Sequence, residues 1–557
     1  MSLTSDQQAS HFLTEERQFH LGFLPTEQSS PLTRHLDAEF ARSTVDGVKN
    51  LQRVDRNVLA MARNVFAGEP FWKLVDLGER TLRSGGRIVF SGCGATGRLS
   101  ILLESMFREC CRNDRRLAAY ASQVFSIMTG GDYALVRSVE FFEDYQSFGR
   151  RQVRDLGLTA ADMLVAITEG GETSSVLGTV FEALDVGASA FLLFNNPAEV
   201  LAEHLERSRQ AIRDPRVTVL DLSCGPMALA GSTRMQATTS EQLVAGGALE
   251  TIINRLLDQP PLDYAAEFAK LLEDLESPAA RQAVAGHIDF EAQTYRRHGL
   301  VTYFAADYLL DIFTDTTERS PTFMLPPFRK MDDKVSPRPW AFVKNPCLAT
   351  PEVWSTEMNR PLRCLEWTLE DYRQLGAPEI LLARPPAIRA EELLKFPVGN
   401  EMQEDRTVTG KDAAILVTVA TGSRNAELAA AFKGLQAPFA SRRQLCVGET
   451  GGDWNVPCRL EHTPLEMFSH LAIKLVLNTV STGTMVVLGR VQGNWMSWVD
   501  ASNKKLIDRS TRLVSELSGL GYEESCRHVF AAMEEIAAWP PGTDRPSPVQ
   551  LVLRRLK

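Results

Sequence analysis

Short apolar runs alternate with amphipathic segments in the first half of the chain, and this alternation predicts β-strands joined by helices. Apolar residues recur at helical spacing between Val48 and Arg83. The apolar runs that follow predict strands at 87–90, 119–128, 163–167, 190–194 and 217–222. Because strands that alternate with helices form parallel sheets, which bind ligands at their carboxyl ends, this half is predicted to be one α/β unit.

A second alternation begins near Val301 and predicts another α/β unit in tandem. Its predicted strands are 301–304, 340–343, 379–383 and 414–419. The uncharged run from Leu475 to Leu488 is too short to span a bilayer, so we predict a buried helix at 470–490. Residues 258–285 are predicted to form a charged connector and 384–412 an irregular excursion, and a helical piece is expected after 501.

Composition adds limits to this picture. The chain has 557 residues, of which 44% are hydrophobic and 23% charged, as in ordinary globular proteins. A net charge of −10 disfavours nucleic acid as a partner. The nine cysteines are scattered and the nine histidines lack metal-ligand spacing, so we expect free thiols and no metal. The polar N-terminus does not resemble a signal peptide, and we expect a cytoplasmic protein that is not bound to membranes.

The most informative segment is Ser91–Arg98, a glycine-rich turn between a predicted strand and a predicted helix. Glycines allow close backbone approach, and the free N–H groups of a helix start bind phosphate. The same letters match the dinucleotide fingerprint, which needs an acidic residue about 20 positions further on. That region is the basic loop Cys111–Arg116. A sugar phosphate is therefore favoured over NAD, and no cofactor is expected.

Two further loops, 168–175 and 231–236, also combine glycine with hydroxyl side chains and precede helices. Three such loops at the strand ends of one sheet predict a phosphosugar pocket. The residues that we expect to bind the sugar phosphate are Gly94, Ala95, Thr96, Thr168, Glu169, Gly171, Thr173, Ser232 and Thr233.

These motifs resemble a known family. The segments 92–99, 129–131, 196–197, 225–226 and 231–235, together with 474–483 and 502–506, resemble the sugar isomerase (SIS) domain. The subfamily with the greatest resemblance contains the N-acetylmuramic acid 6-phosphate etherases and the glucokinase regulatory protein. The resemblance is strong in 86–250 and 470–510.

The resemblance implies an α/β fold with two tandem SIS-type parallel-sheet three-layer sandwiches and a helical C-terminal lid. We expect an N-terminal arm (1–45), a first SIS domain (46–258), a second SIS domain (259–500, with connector 259–285) and the lid (501–557). Such a chain would be a monomer that contains a pseudo-dimer. Asn503 and Lys505 are expected to reach the sugar phosphate from the lid side.

The resemblance also bears on catalysis. Family etherases remove lactate from C3 of the sugar with two glutamates, a general base and a general acid. One family position is occupied here by Met106, and Glu104 nearby is predicted to point away from it. The other lies in the segment 140–144, where Glu140 is expected to be catalytic if the protein is an enzyme. Gln236 also stands where the family has lysine.

The loss at Met106 favours a sugar-phosphate-binding regulator or sensor, similar to the glucokinase regulatory protein, over an enzyme. A sugar kinase is the protein partner that this reading suggests. The alternative is an etherase-like carbon–oxygen lyase or a sugar-phosphate isomerase.

Overall fold

The structure, a computed structural model, describes residues 4–139, 141–540 and 545–556. Within them lie two parallel five-stranded sheets. The first contains β1 (Ile88–Gly92), β2 (Val124–Met128), β3 (Met163–Ile167), β4 (Ser189–Phe194) and β5 (Val217–Asp221). The second contains β6 (Val301–Phe304), β7 (Ala341–Lys344), β8 (Ala413–Val419), β9 (Ser441–Val447) and β10 (Trp454–Val456).

The two sheets share one topology. The first has the strand order β2-β1-β3-β4-β5, and the second, read from its matching edge, has the order β7-β6-β8-β9-β10. In both, the first strand lies between the second and the third. All pairings in the two sheets are parallel, with Ile88 opposite Met163 and Val301 opposite Ala413. The predicted α/β fold with two tandem units is therefore confirmed.

Helices cover both sheets. Those that precede β1 are α1 (Ser5–Glu15), α2 (Leu36–Arg42), α3 (Thr44–Gln52), α4 (Asp55–Ala67) and α5 (Glu69–Arg83). The first unit continues with α6 (Ala95–Asn113), α7 (Gln146–Leu156), α8 (Ser174–Asp185), α9 (Ala198–His204), α10 (Glu206–Ile212) and α11 (Gln236–Leu256).

The helices from 264 to 487 are α12 (Tyr264–Leu275), α13 (Pro278–Arg296), α14 (Leu309–Phe323), α15 (Thr350–Met358), α16 (Leu369–Gln374), α17 (Glu379–Ala383), α18 (Ala390–Leu393), α19 (Asn425–Lys433) and α20 (Met467–Val487). A hairpin of β11 (Val491–Gln492) and β12 (Trp495–Met496) leads to α21 (Lys504–Ser518), α22 (Tyr522–Ala537) and α23 (Pro548–Leu556). The domain boundaries expected above stay predictions.

The long helices α11 and α20 pack against each other at the centre of the molecule. Helix α20 is long and apolar enough to cross a membrane, but 83% of its most apolar window is buried inside the protein. Its polar side chains have partners within the helix and on neighbouring helices. The Thr479 hydroxyl donates to the Leu475 carbonyl at 2.8 Å, and the Ser481 hydroxyl donates to Asp315 at 2.7 Å. The prediction of a buried core helix is confirmed.

One prediction of secondary structure is wrong, the connector contains helices, and two strands have no counterpart in the predictions. Residues 379–383 form helix α17 rather than a strand, because only Leu381 is buried there while Ile380 is 59% exposed. The connector 258–285 contains α12 and the start of α13, whose apolar residues at three- and four-residue spacing are buried. Strands β9 and β10 were not predicted, because Arg442 and Arg443 interrupt the apolar pattern of β9 and β10 has only three residues.

The N-terminal arm is fixed to the C-terminal helices. Helix α1 packs against α22, and Leu21 and Leu24 are fully buried. The buried Glu27 carboxylate accepts hydrogen bonds from Arg509 at 2.6 and 3.0 Å and from Arg512 at 2.7 Å. Burial would raise the pKa of Glu27, but the two guanidinium groups outweigh it and lower this pKa to about 2. The arm and the lid therefore form one ion-paired layer.

Candidate functional site

A cavity of about 310 Å³, here called the first cavity, lies at the carboxyl ends of β1, β2 and β3. The loops after these strands line it, together with the loop before α11, one side of α14 and the start of α21. Eight sequence-predicted residues line it: Gly94, Ala95, Glu169, Thr173, Ser232, Thr233, Asn503 and Lys505. The structure thus brings the three hydroxyl-rich loops and the lid to one place.

The glycine-rich loop is held in shape by Thr96. Its hydroxyl donates to the Cys93 carbonyl at 2.9 Å and accepts from the Cys93 amide at 3.0 Å. Thr96 therefore braces the turn and does not line the cavity. Gly94 has a φ of +57° and α6 begins directly after it, so the N-terminal end of α6 borders the cavity.

Two other predicted residues, Thr168 and Gly171, do not line the first cavity. Thr168 is buried and donates to the Thr173 hydroxyl at 3.0 Å. Gly171 has a φ of +75°, and a Cβ there would lie 2.4 Å from Leu201, so its role is in packing. Glu140 lies outside the described residues.

Two lid side chains bind acids of the first unit. Lys505 Nζ donates to Glu172 Oε1 at 2.7 Å. Asn503 Nδ2 donates to Glu143 Oε1 at 3.0 Å, while Asn503 Oδ1 caps α21 by accepting from the Leu506 amide. Although burial would raise the pKa of Glu172, the nearby cations hold it at about 2. The lid is therefore closed over the cavity by an ion pair and a hydrogen bond.

Four carboxyl groups line the first cavity: Glu143, Asp144, Glu169 and Glu318. Burial raises the pKa of Glu143. Burial and, to a smaller extent, the charge of Glu318 raise the pKa of Glu169 to about 7. Glu318 is ion-paired with the buried guanidinium of Arg98. A carboxyl group with a pKa near 7, such as that of Glu169, can exchange protons near neutral pH.

Sequence reasoning missed Glu143 and Glu318. Glu143 belongs to the same Glu-Phe-Phe-Glu-Asp segment as Glu140, so the sequence contained a signal for it as well. Glu318 has no signal within the first unit, because it comes from α14, the helix that follows the first strand of the second sheet.

The structure shows that Met106 does not line the first cavity. The C-terminal half of α6 lines a different cavity, of about 820 Å³, at the carboxyl ends of β6 and β8, here called the second cavity. Met106 lines this second cavity. The helix that follows the first strand of each unit therefore reaches the cavity of the other unit. Met106 consequently does not stand in place of an acid or base of the first cavity.

Glu104 and Gln236 are structural. Glu104 is buried and accepts from the Ser126 amide at 2.9 Å and from Arg360 at 3.1 Å, so it does not line the first cavity. The Gln236 amide donates to the Pro226 carbonyl at 3.1 Å and its oxygen accepts from the Ala228 amide. It braces the loop that carries Ser232 and Thr233.

Comparisons with known proteins identify relatives of this chain. Residues 73–184 match the family model of the glucokinase regulatory protein N-terminal SIS domain. An N-acetylmuramic acid 6-phosphate etherase from Yersinia pestis is 33% identical over 224 residues, which are 40% of this chain and 68% of that protein. N-acetylmuramic acid 6-phosphate etherase 1 from Bacillus licheniformis is 29% identical over 225 residues, 40% of this chain and 67% of that protein.

Among solved structures, the tagatose-6-phosphate ketose/aldose isomerase from Escherichia coli aligns with a TM-score of 0.43 and 11% identity over 79% of this chain and 94% of that one.

Proposed function

This chain belongs to the SIS-domain family, in the group of the N-acetylmuramic acid 6-phosphate etherases and the glucokinase regulatory protein, and we propose that it is an etherase-type carbon–oxygen lyase. Its proposed substrate is a hexosamine 6-phosphate that carries a carboxyalkyl ether at C3, such as N-acetylmuramic acid 6-phosphate. The observation that carries the proposal is the meeting of Glu143 and Glu318, from opposite units, in one cavity with phosphate-type loops.

The reaction is an elimination from the open-chain aldehyde. A base takes the proton from C2, which the neighbouring carbonyl acidifies, and the electron pair forms the C2=C3 double bond. The C3–O bond breaks, and an acid gives a proton to the leaving ether oxygen, which departs as lactate. This chemistry needs one carboxylate and one protonated carboxyl group within reach of the same bond.

Glu318 and Glu143 suit these two roles. We assign the base to Glu318, which enters from α14 and is oriented by Arg98. We assign the acid to Glu143, because burial raises its pKa and because Asn503 occupies only its Oε1. Glu169 has a pKa of about 7, and its charge affects the protonation of Glu143 and Glu318.

The phosphate is assigned to the hydroxyl-rich loops and the start of α6. Thr173, Ser232 and Thr233 supply hydroxyl donors, and a helix N-terminus favours an anion. Lys505 is a cation of the lid, and a bound phosphate would compete with Glu172 for its ammonium group. Binding would therefore exchange an internal ion pair for one with the ligand.

The test is release of lactate from N-acetylmuramic acid 6-phosphate, measured with coupled lactate dehydrogenase. Glu143→Gln and Glu318→Gln should each lower kcat by about 100-fold or more while calorimetric binding of the substrate persists. The matched control Glu199→Gln changes an exposed side chain on α9 and should leave kcat unchanged. A wild-type protein that binds the compound and releases no lactate would reject the lyase.

That outcome would favour the second candidate, a sugar-phosphate-responsive regulator. Two observations favour it. Part of the chain matches the SIS model of the regulatory protein, and one chain contains both sheets and the lid. A sugar kinase would then be the partner whose activity changes with the bound ligand. The two candidates share the first cavity and differ only in turnover.

A further inference from the structure

The second cavity occupies the topological position in the second unit that the first cavity occupies in the first. It lies where β6 and β8 end, which are the counterparts of β1 and β3. Its volume of about 820 Å³ exceeds that of the first cavity. Pockets at this edge of a parallel sheet are the usual ligand sites of α/β proteins.

The loop after β8 contains Ser423 and Arg424, and the chain itself occupies their donors in the second cavity. Asp307 accepts from the Arg424 amide at 2.8 Å, from Arg424 Nε at 3.1 Å and from the Ser423 hydroxyl at 3.3 Å. The third residue after β1 is Ala95, whereas the third residue after β6 is Asp307. A phosphate that entered this loop would meet a carboxylate and find the donors taken.

The rest of the lining contains the ion pairs Arg112–Glu109 and Arg116–Asp114 at and after the end of α6 and, beside Tyr308, a group of uncharged hydroxyls. The Tyr308 hydroxyl lies 2.6 Å from that of Thr421, which in turn lies 2.8 Å from that of Ser469. Each hydroxyl can donate or accept. Burial raises the pKa of Tyr308 to about 12, so the phenol keeps its proton.

An imidazole and a neutral carboxyl group complete this lining. His470 Nδ1 lies 2.7 Å from Asp311 Oδ2, which orients the ring. Burial would lower the pKa of His470, but the Asp311 carboxylate outweighs it and raises this pKa, so Nε2–H can donate to a ligand. Burial raises the pKa of Glu357 to about 8, so its carboxyl group is largely protonated at neutral pH and can donate. These groups match the alternating donors and acceptors of a polyol.

We propose that the second cavity is a separate binding site for an uncharged polyhydroxylated ligand, a neutral sugar or polyol, and that Asp307 excludes phosphorylated sugars from it. The proposal is independent of turnover in the first cavity. It assigns the two cavities of one chain to ligands of different charge.

The first test is ligand-observed NMR with N-acetylglucosamine and glucose at millimolar concentration. One of the two sugars should bind the full chain, and Thr421→Val should weaken this binding about tenfold by removing the central hydroxyl. Tyr308→Phe, a smaller change, should weaken it as well. Thr14→Val, at an exposed position on α1, is the matched control and should have no effect. Absence of binding, or binding that Thr421→Val and Tyr308→Phe leave unchanged, would overturn the proposal.

The second test uses inorganic phosphate and calorimetry. The wild-type chain should bind phosphate in the first cavity alone, whereas Asp307→Asn removes the charge while keeping an acceptor for Arg424. The stoichiometry should therefore rise from about one to about two, as expected when like-charge repulsion is removed. An unchanged stoichiometry in the folded variant would overturn the role of Asp307.

Discussion

The ion-paired layer of arm and lid should depend on one buried carboxylate, Glu27. In the variant Glu27→Gln the guanidinium groups of Arg509 and Arg512 lose their common partner inside the protein. A folded pKa of about 2 against an ordinary value of 4.5 corresponds to about 3 kcal/mol at neutral pH. Breaking a buried ion pair by removing one partner costs about 3–5 kcal/mol in other proteins, which agrees with this value.

The assay is hydrogen exchange of the backbone amides of residues 21–28 and of α21, because local opening of the lid need not unfold the sheets. A loss of about 3 kcal/mol predicts exchange that is roughly 100-fold faster, since about 1.4 kcal/mol is a factor of ten. The control Glu39→Gln breaks a surface pair with Arg42 and should cost less than about 1 kcal/mol.

The pH dependence has a defined sign. Because the folded pKa of Glu27 lies below the unfolded one, its stabilisation is complete above the unfolded value of 4.5 and is lost as the pH falls towards 2. The ratio of variant to wild-type exchange should therefore shrink over this range. A variant whose amides exchange less than about fivefold faster at neutral pH would refute the reasoning, because the ion pairs would then contribute no more than a surface pair.

Three further outcomes are expected. Met106→Glu should give no gain in lactate release, measured by the coupled assay, because its side chain faces the second cavity. Gly92→Ala should destabilise the protein by about 1–3 kcal/mol and so lower the thermal unfolding midpoint, because a Cβ would lie 2.4 Å from the Thr96 carbonyl carbon. Gly521→Ala is its control, since a Cβ there meets nothing within 4 Å. The pKa of Glu169 is raised, so this residue destabilises the fold increasingly as the pH rises from 4.5 through about 7. Glu169→Gln should therefore be more stable than wild type in denaturant titrations at pH values above 7. Equal stability there would count against this pKa.

The parallel sheets could be predicted because strands buried on both faces have nearly continuous apolar sequences. Residues 163–167 and 190–194 show this pattern, and β3 is buried throughout. Strand β9 was not predicted, since Arg442 and Arg443 extend from a half-exposed strand. In 379–383 the apolar letters were present, but only tertiary burial distinguishes a short strand from a helical turn.

The first cavity was predictable as far as its parts are local in sequence. A loop such as 231–236 carries its own signal, because glycine, hydroxyl side chains and the following helix stand together. The position of Glu318 depends on how α14 crosses to the first unit, and no local pattern encodes that crossing. The same crossing explains why the sequence alone assigns Met106 to the first cavity although it lines the second.

The exchange of α6 and α14 between the units has a genetic consequence. In a symmetric dimer of identical chains, one codon change alters both pockets at once. Here the two helices are encoded separately, so a substitution in the C-terminal half of α6 reaches the second cavity and spares the first. One pocket can thus acquire a new ligand while the other keeps its chemistry, which two identical subunits cannot do.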